Sequence, residues 1–174
     1  MNEHTKLSPT AIQHAHHPAN VTAERTAGQR HQRLRQQHHP ECIVCGQAGQ
    51  NGLSVQFRAT SDGRVEAEFA CQRVLQGYPH VLHGGVICSL LDGAMTNCVF
   101  ASGEAAVTGD LHVRFHKPVA ANGQATVRAW IEASCPPLYK LGAELEQNGE
   151  IKATATARFV QRTVAARWLE GHRG

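Results

Sequence analysis

His83-Gly84-Gly85 heads an apolar run, HGGVICSLLD, that ends on Asp92. A glycine pair at a helix start leaves backbone N–H groups bare and open to close approach. The helix dipole adds partial positive charge at the same place. Such a start can receive an oxyanion. A carboxylate two turns inside a largely apolar helix is costly unless it has partners or chemical work. Together the two features point to attack on a carbonyl. His83 has no carboxylate partner in the local sequence, so it reads as a cap or positioning group rather than the base. Cys88 lacks a nearby activating histidine in sequence and reads as a packing thiol.

Those residues need a scaffold, and the surrounding pattern supplies one. On a helical wheel Val86, Ile87, Leu90, Leu91, Ala94, Met95 and Cys98 cover one half, while Cys88, Ser89, Asp92 and Thr96 cover the other. The spacing predicts a helix of roughly 16 residues ending before Gly103. Its polar face needs a second surface, from a partner subunit or a ligand. Leu53-Val55-Phe57 and Val65-Ala67-Phe69 alternate like half-buried strands around a Ser61-Asp62-Gly63 turn. Gly77-Tyr78-Pro79 reads as a loop before the helix. After it, runs at 111–115, 125–131, 141–145 and 151–159 alternate, with turns at Asn122-Gly123, Cys135-Pro136-Pro137 and Asn148-Gly149. Those four runs predict an antiparallel meander, and one helix against such a sheet is an α+β domain.

Length and composition fit one domain. The chain has 174 residues, 41% of them apolar, with a formal charge of +3. That charge is too small to imply nucleic acid, and no run of 18 apolar residues predicts a membrane span. The first residues lack the apolar core of a secretory signal, so the six cysteines are expected as reduced thiols in a cytoplasmic protein. Residues 1–40 hold seven of the twelve histidines and few large apolar side chains. They read as a disordered or weakly helical tail that admits a short helix over 23–37. Residues 41–162 form the domain, and 163–174 a C-terminal tail. Cys42-x2-Cys45, with His38 and His39 nearby, invites a zinc reading. A structural zinc site normally takes four ligands, often as two separated pairs, and no second CxxC exists, so no metal is expected.

The HGG-x6-D spacing on this order of elements resembles the hotdog fold, and more narrowly the PaaI-like (phenylacetic acid degradation) acyl-CoA thioesterases. Cys42-Ile43-Val44-Cys45-Gly46, Asn51-Gly52-Leu53 and the Arg114–Val119 segment (RFHKPV) share in the resemblance, which covers roughly residues 42–160. It implies thioester hydrolysis of an acyl-CoA without a cofactor or metal, in a homodimer or homotetramer with sites at the subunit interface. It implies Asp92 as base or nucleophile, the Gly84 N–H polarising the carbonyl, and His83 helping to shape the site, with Gly85 expected to bind substrate beside Gly84. It also implies that the Thr108 hydroxyl holds the attacking water. Some relatives carry Asn where this chain has Gly77. Lys117 and Lys140 could meet the phosphates of coenzyme A, and solvated strand ends explain them equally well. Two other readings stand beside this one: an acyl-CoA-binding hotdog protein without catalysis, and a hotdog hydratase or dehydratase using His83 with Asp92.

Overall fold

The computed structural model describes residues 18–46 and 52–170. Residues 1–17 of the expected tail, Asn51 of the opening motif and residues 171–174 lie outside the described residues. Strands form where alternating apolar runs meet across a turn. Arg58–Ala59 (β1) pairs with Val65–Ala70 (β2) across a turn in which Gly63 takes a φ of 78°. Gln124–Cys135 (β6), Leu138–Gln147 (β7) and Glu150–Gln161 (β8) make the expected meander. Asn148 and Gly149 have φ of 57° and 75°, the two positive values a type I′ hairpin requires.

The remaining strand corrects the meander. Ala106–Phe115 (β5) pairs with β8, not with β6, so the six-stranded antiparallel order is β1-β2-β6-β7-β8-β5. The reason lies in residues 116–123. Pro118 cannot donate to a ladder, Val119 is fully buried, and Ala120 bridges Val81, so the chain crosses beneath the sheet instead of turning back. Two smaller departures follow the same logic of backbone partners. Val55 and Phe57 are buried as the alternation predicts, but the Leu53 and Val55 N–H groups bond to the Ile43 and Val44 carbonyls rather than to a strand. The expected loop at Gly77–Pro79 contains a small hairpin, Gln76–Tyr78 (β3) with Val81–Leu82 (β4).

The helix, Gly84–Ser102 (α2), has 19 residues and stops at Gly103, whose φ of 97° suits only a residue free of a side chain. One face of the sheet wraps it with Val65, Phe69, Val127, Leu141, Leu145 and Phe159, all buried. Alanines at 125, 129, 143, 153, 155 and 157 are buried as well and keep the inner face shallow. The helix is long and apolar enough to cross a membrane, but here it is the buried core helix of the domain.

Its other face is covered by the chain itself. The expected tail is a helix over Pro18–His38 (α1), packed on α2. His31 Nε2 lies 2.7 Å from Asn97 Oδ1, and Asn97 Nδ2 donates to the Gly93 carbonyl at 2.8 Å. His38 stacks on Phe100 and His39 meets it edge-on. This interface uses imidazoles and a buried amide where a sequence reading looks for leucines, and so it was invisible in composition. The C-terminal tail expected from residue 163 likewise begins as a helix, Arg162–Glu170 (α3).

Burial holds the His31 imidazole below its ordinary value of 6.5, with the Asn97 bond pulling the other way. His38 and His39 are lowered too, chiefly by burial. The unfolded chain therefore takes up protons first as pH falls below 6.5, and stability is lost in that direction. The melting temperature should drop between about pH 7.5 and 5.5. His31→Ala should flatten that slope and cost about 1–3 kcal/mol at the upper end, because the buried Asn97 Oδ1 loses its partner. Urea midpoints at the two pH values measure both effects.

Candidate active site

The start of α2 is built by its first three residues. His83 is the N-cap, and its Nδ1 accepts the Gly85 N–H at 2.9 Å. Nδ1 is thus unprotonated and engaged, which leaves it no part as a base. The His83 carbonyl accepts the Val86 and Ile87 N–H groups at 3.0 and 3.2 Å. The Gly84 N–H makes no hydrogen bond among the described residues. Of the donors at this helix end, it is the one left for a ligand. Phe115, at the end of β5, stands 3.6 Å from where a Gly84 Cβ would be. A groove of about 360 Å³ opens there, lined by Tyr78, Val81, Gly84, Ile87, Phe115 and Lys117 among others. Gly77 lies under the cap, where a Cβ would come within 3.0 Å of the His83 ring. A larger residue at that position would displace His83.

Asp92 is half-buried, and the Thr108 hydroxyl donates to its Oδ1 at 2.7 Å. Asp92 Oδ2 makes no hydrogen bond among the described residues. The structure thus brings Thr108 to Asp92, with its hydroxyl proton on the carboxylate, whereas the expectation gave that hydroxyl to the attacking water. It does not bring Asp92 to Gly84. Eight residues of helix separate them, about 12 Å along the axis. One carbonyl cannot reach both groups within one chain. Within one chain, His83 has no carboxylate partner among the described residues.

The remaining candidates divide. Lys117 lines the groove but is paired with Glu150, whose carboxyl is drawn down to about 2 by Lys117 and Lys152. Lys140 pairs with Glu132 at 2.8 Å and is not among the groove's lining residues. Both side chains are more than half exposed, so these pairs contribute little to stability. Burial raises the Cys88 thiol, and the Asp92 charge raises it further, which keeps it protonated and a poor nucleophile. Phe115 is the residue that the sequence left without a role. Its only signal was an apolar side chain at the last position of a strand, three residues before Pro118.

Comparison with known proteins agrees with this architecture. Residues 80–134 match the thioesterase superfamily. No curated protein sequence matches the chain. Among solved structures, a phenylacetic acid degradation-related protein from Ralstonia eutropha JMP134, described as a candidate thioesterase, is 26% identical with a TM-score of 0.57. That match covers 62% of this chain and 85% of the other. The PaaI protein of the E. coli phenylacetic acid degradation operon is 17% identical with a TM-score of 0.67, over 80% and 95% of the two chains. A Streptococcus mutans UA159 protein bound to acetyl-CoA is 16% identical with a TM-score of 0.58, over 62% and 87%. The α+β hotdog fold and the resemblance to PaaI-like hotdog thioesterases are upheld.

The space around Gly84 yields a test of its own. A methyl group there meets only the Phe115 ring, at an ordinary contact distance. The backbone is helical, so alanine also loses less entropy on folding than glycine. Gly84→Ala should therefore fold with unchanged or higher stability, by up to about 1 kcal/mol. A thermal melt checks this, and a marked loss would show that the first turn needs glycine for the fold itself.

Proposed function

We propose that the protein hydrolyses acyl-CoA thioesters at a site shared by two copies of the chain. Asp92 and Thr108 come from one copy and the Gly84 N–H from the other. The observation that carries this reading is the Thr108–Asp92 hydrogen bond beside an open sheet edge. β5 is the outermost strand, ten residues long, and its far side has no strand partner among the described residues. Such an edge is a template for pairing. Thr108 stands near its beginning and Phe115, beside Gly84, at its end. Antiparallel pairing of β5 with the same strand of a second copy sets the beginning of one against the end of the other. That arrangement brings Asp92 near Gly84 of the partner subunit and removes the separation of about 12 Å found along one helix. The exposed Val107 and Phe115 on this strand are covered by the same contact.

The chemistry then follows from the groups in place. Thr108 occupies Oδ1 of Asp92 and fixes the carboxylate plane, so Oδ2 faces the substrate. As a general base, Asp92 takes a proton from water while the oxygen attacks the thioester carbon. The carbonyl oxygen becomes an oxyanion and is received by the Gly84 N–H at the positive end of α2. Collapse breaks the C–S bond, and the proton held by Asp92 passes to the departing thiolate. Direct attack by Asp92, giving an anhydride that water opens, uses the same atoms. His83 holds Gly85 and so sets the direction of the Gly84 N–H. Acyl-CoA as the substrate class is supported by the S. mutans neighbour, which holds acetyl-CoA on this fold. Lys117 lines the groove and is the cation placed for the phosphates, once it exchanges Glu150 for them.

Asp92→Asn keeps the shape and the Thr108 contact but removes the charge. Turnover of a responsive acyl-CoA should fall by about 10²–10⁴-fold, while binding of the acyl-CoA survives. A free-thiol release assay across short, aromatic and long acyl chains measures the first, and calorimetry the second. Undiminished turnover with an unchanged melting curve would make Asp92 structural. Thiol release by none of the acyl-CoAs, together with tight binding, would instead favour a binding protein. The assembly is tested separately. Light scattering at micromolar concentration should give a dimer or tetramer, and Val113→Pro in β5 should shift it toward monomer and lower turnover together.

A further inference from the structure

We propose that His39, Cys42 and Cys45 form a zinc-binding clip that fastens the end of α1 to the catalytic helix. Their Nδ1 or Nε2 and Sγ atoms all lie within 4.8 Å of one another, and among the described residues this is the one such group. Tetrahedral zinc with sulfur at about 2.3 Å and nitrogen at about 2.0 Å sets its ligands roughly 3.5–3.8 Å apart. Cys45 Sγ and His39 Nδ1 already stand 4.0 Å apart. Closing the rest takes a shift of about 1 Å or less by side chains on a short turn. Two thiolates and one imidazole are a donor set suited to zinc.

The backbone is shaped for this. His39 directly follows α1, with its N–H on the Arg35 carbonyl at 2.8 Å. The chain then folds back so sharply that the Gly46 N–H reaches the Cys42 carbonyl at 2.7 Å. A Cβ at Gly46 would lie 2.5 Å from the Cys42 nitrogen, so the turn admits only glycine. This CxxCG turn aims both thiols at one point, opposite the imidazole. Cys45 is buried, while Cys42 and His39 are half-exposed, which gives an ion an entry path and a fourth position for water.

The place of the clip explains its use. His39 packs edge-on against Phe100 of α2. Val44, between the two cysteines, sits where a Cβ of Gly93 would come within 2.7 Å, one residue from Asp92. Tying His39 to Cys42 and Cys45 locks this cover down over α2. Binding releases the protons of both thiols to solvent and consumes no oxidant. The clip lies outside the proposed reaction and does not depend on it. The sequence offered both His38 and His39 beside the two cysteines; the fold of α1, which ends at His38, places His39 as the third ligand.

The test uses the full chain, purified reduced and without a histidine tag. Zinc content after dialysis should be about one equivalent above that of Cys42→Ser, whose other histidines are intact. Cobalt(II) added to the metal-free protein should give a thiolate-to-metal charge-transfer band in the near ultraviolet. The histidine-rich head cannot produce that band, because it holds no thiol. His39→Asn should weaken metal retention by at least ten-fold. Wild-type protein holding no more zinc than Cys42→Ser would overturn the proposal. So would a missing cobalt band, or a Cys42–Cys45 disulfide in mass spectra of protein isolated without reductant. The cobalt spectrum of the wild type decides the matter even if Cys42→Ser fails to fold.

Discussion

α2 is enclosed from two sides, and that enclosure decides which of its groups remain available for chemistry. The sheet takes one face with aliphatic and aromatic side chains. α1 takes the other through the bond between His31 and Asn97 and the rings of His38 and His39 on Phe100. From Gly93 to Phe100 every residue of α2 is buried. A protein interior packed to this density leaves no room for a ligand. Apart from Ala101 and Ser102 at its end, only the stretch from Gly84 to Asp92 keeps access to solvent. The carboxylate and the free N–H lie at the two ends of that stretch.

The rigidity of a helix turns this into a rule about assembly. A straight helix fixes the Gly84–Asp92 separation, and no side-chain rotation brings a backbone N–H closer. On the reading proposed above, one chain thus holds the two halves of the site in the wrong relation to each other. β5 carries both halves to a single open edge, with Thr108 against Asp92 near one end and Phe115 against Gly84 at the other. In the proposed assembly, a twofold axis through that strand completes the site, and completes it twice. The crossing of residues 116–123 matters for this reason. That crossing puts β5 beside β8, at the end of the sheet.

Much of this was legible in the sequence where the signals were local. The glycine pair, the αL stop at Gly103, the I′ turn at Asn148-Gly149 and the period-two runs of β6, β7 and β8 each follow from neighbouring residues. Family resemblance gave Thr108 a role toward the attacking water, but its bond to Asp92 was not legible, because nothing in their spacing places a strand residue against a helix. The position of β5 was misread because turn signals report that a chain reverses, not which strand it joins. α1 was misread because its contact face is made of His31, Arg35 and His38, residue types that composition assigns to solvent. The wheel did show that α2 had a polar half in need of cover. It named a partner or a ligand, and for the C-terminal half the cover is the chain's own N-terminal helix.

The shared site is tested most directly by complementation between two defective chains. Asp92→Asn lacks the carboxylate, and Gly84→Leu fills the groove at the N–H donor. Neither homodimer should release thiol from acyl-CoA at an appreciable rate. Co-expressed in equal amounts, half of the dimers are mixed, and each mixed dimer has one site with both defects and one with none. The mixture should recover about a quarter of wild-type turnover. A mixture no more active than its separate parts, with mixed dimers confirmed by mass spectrometry, would contradict a site shared between two copies.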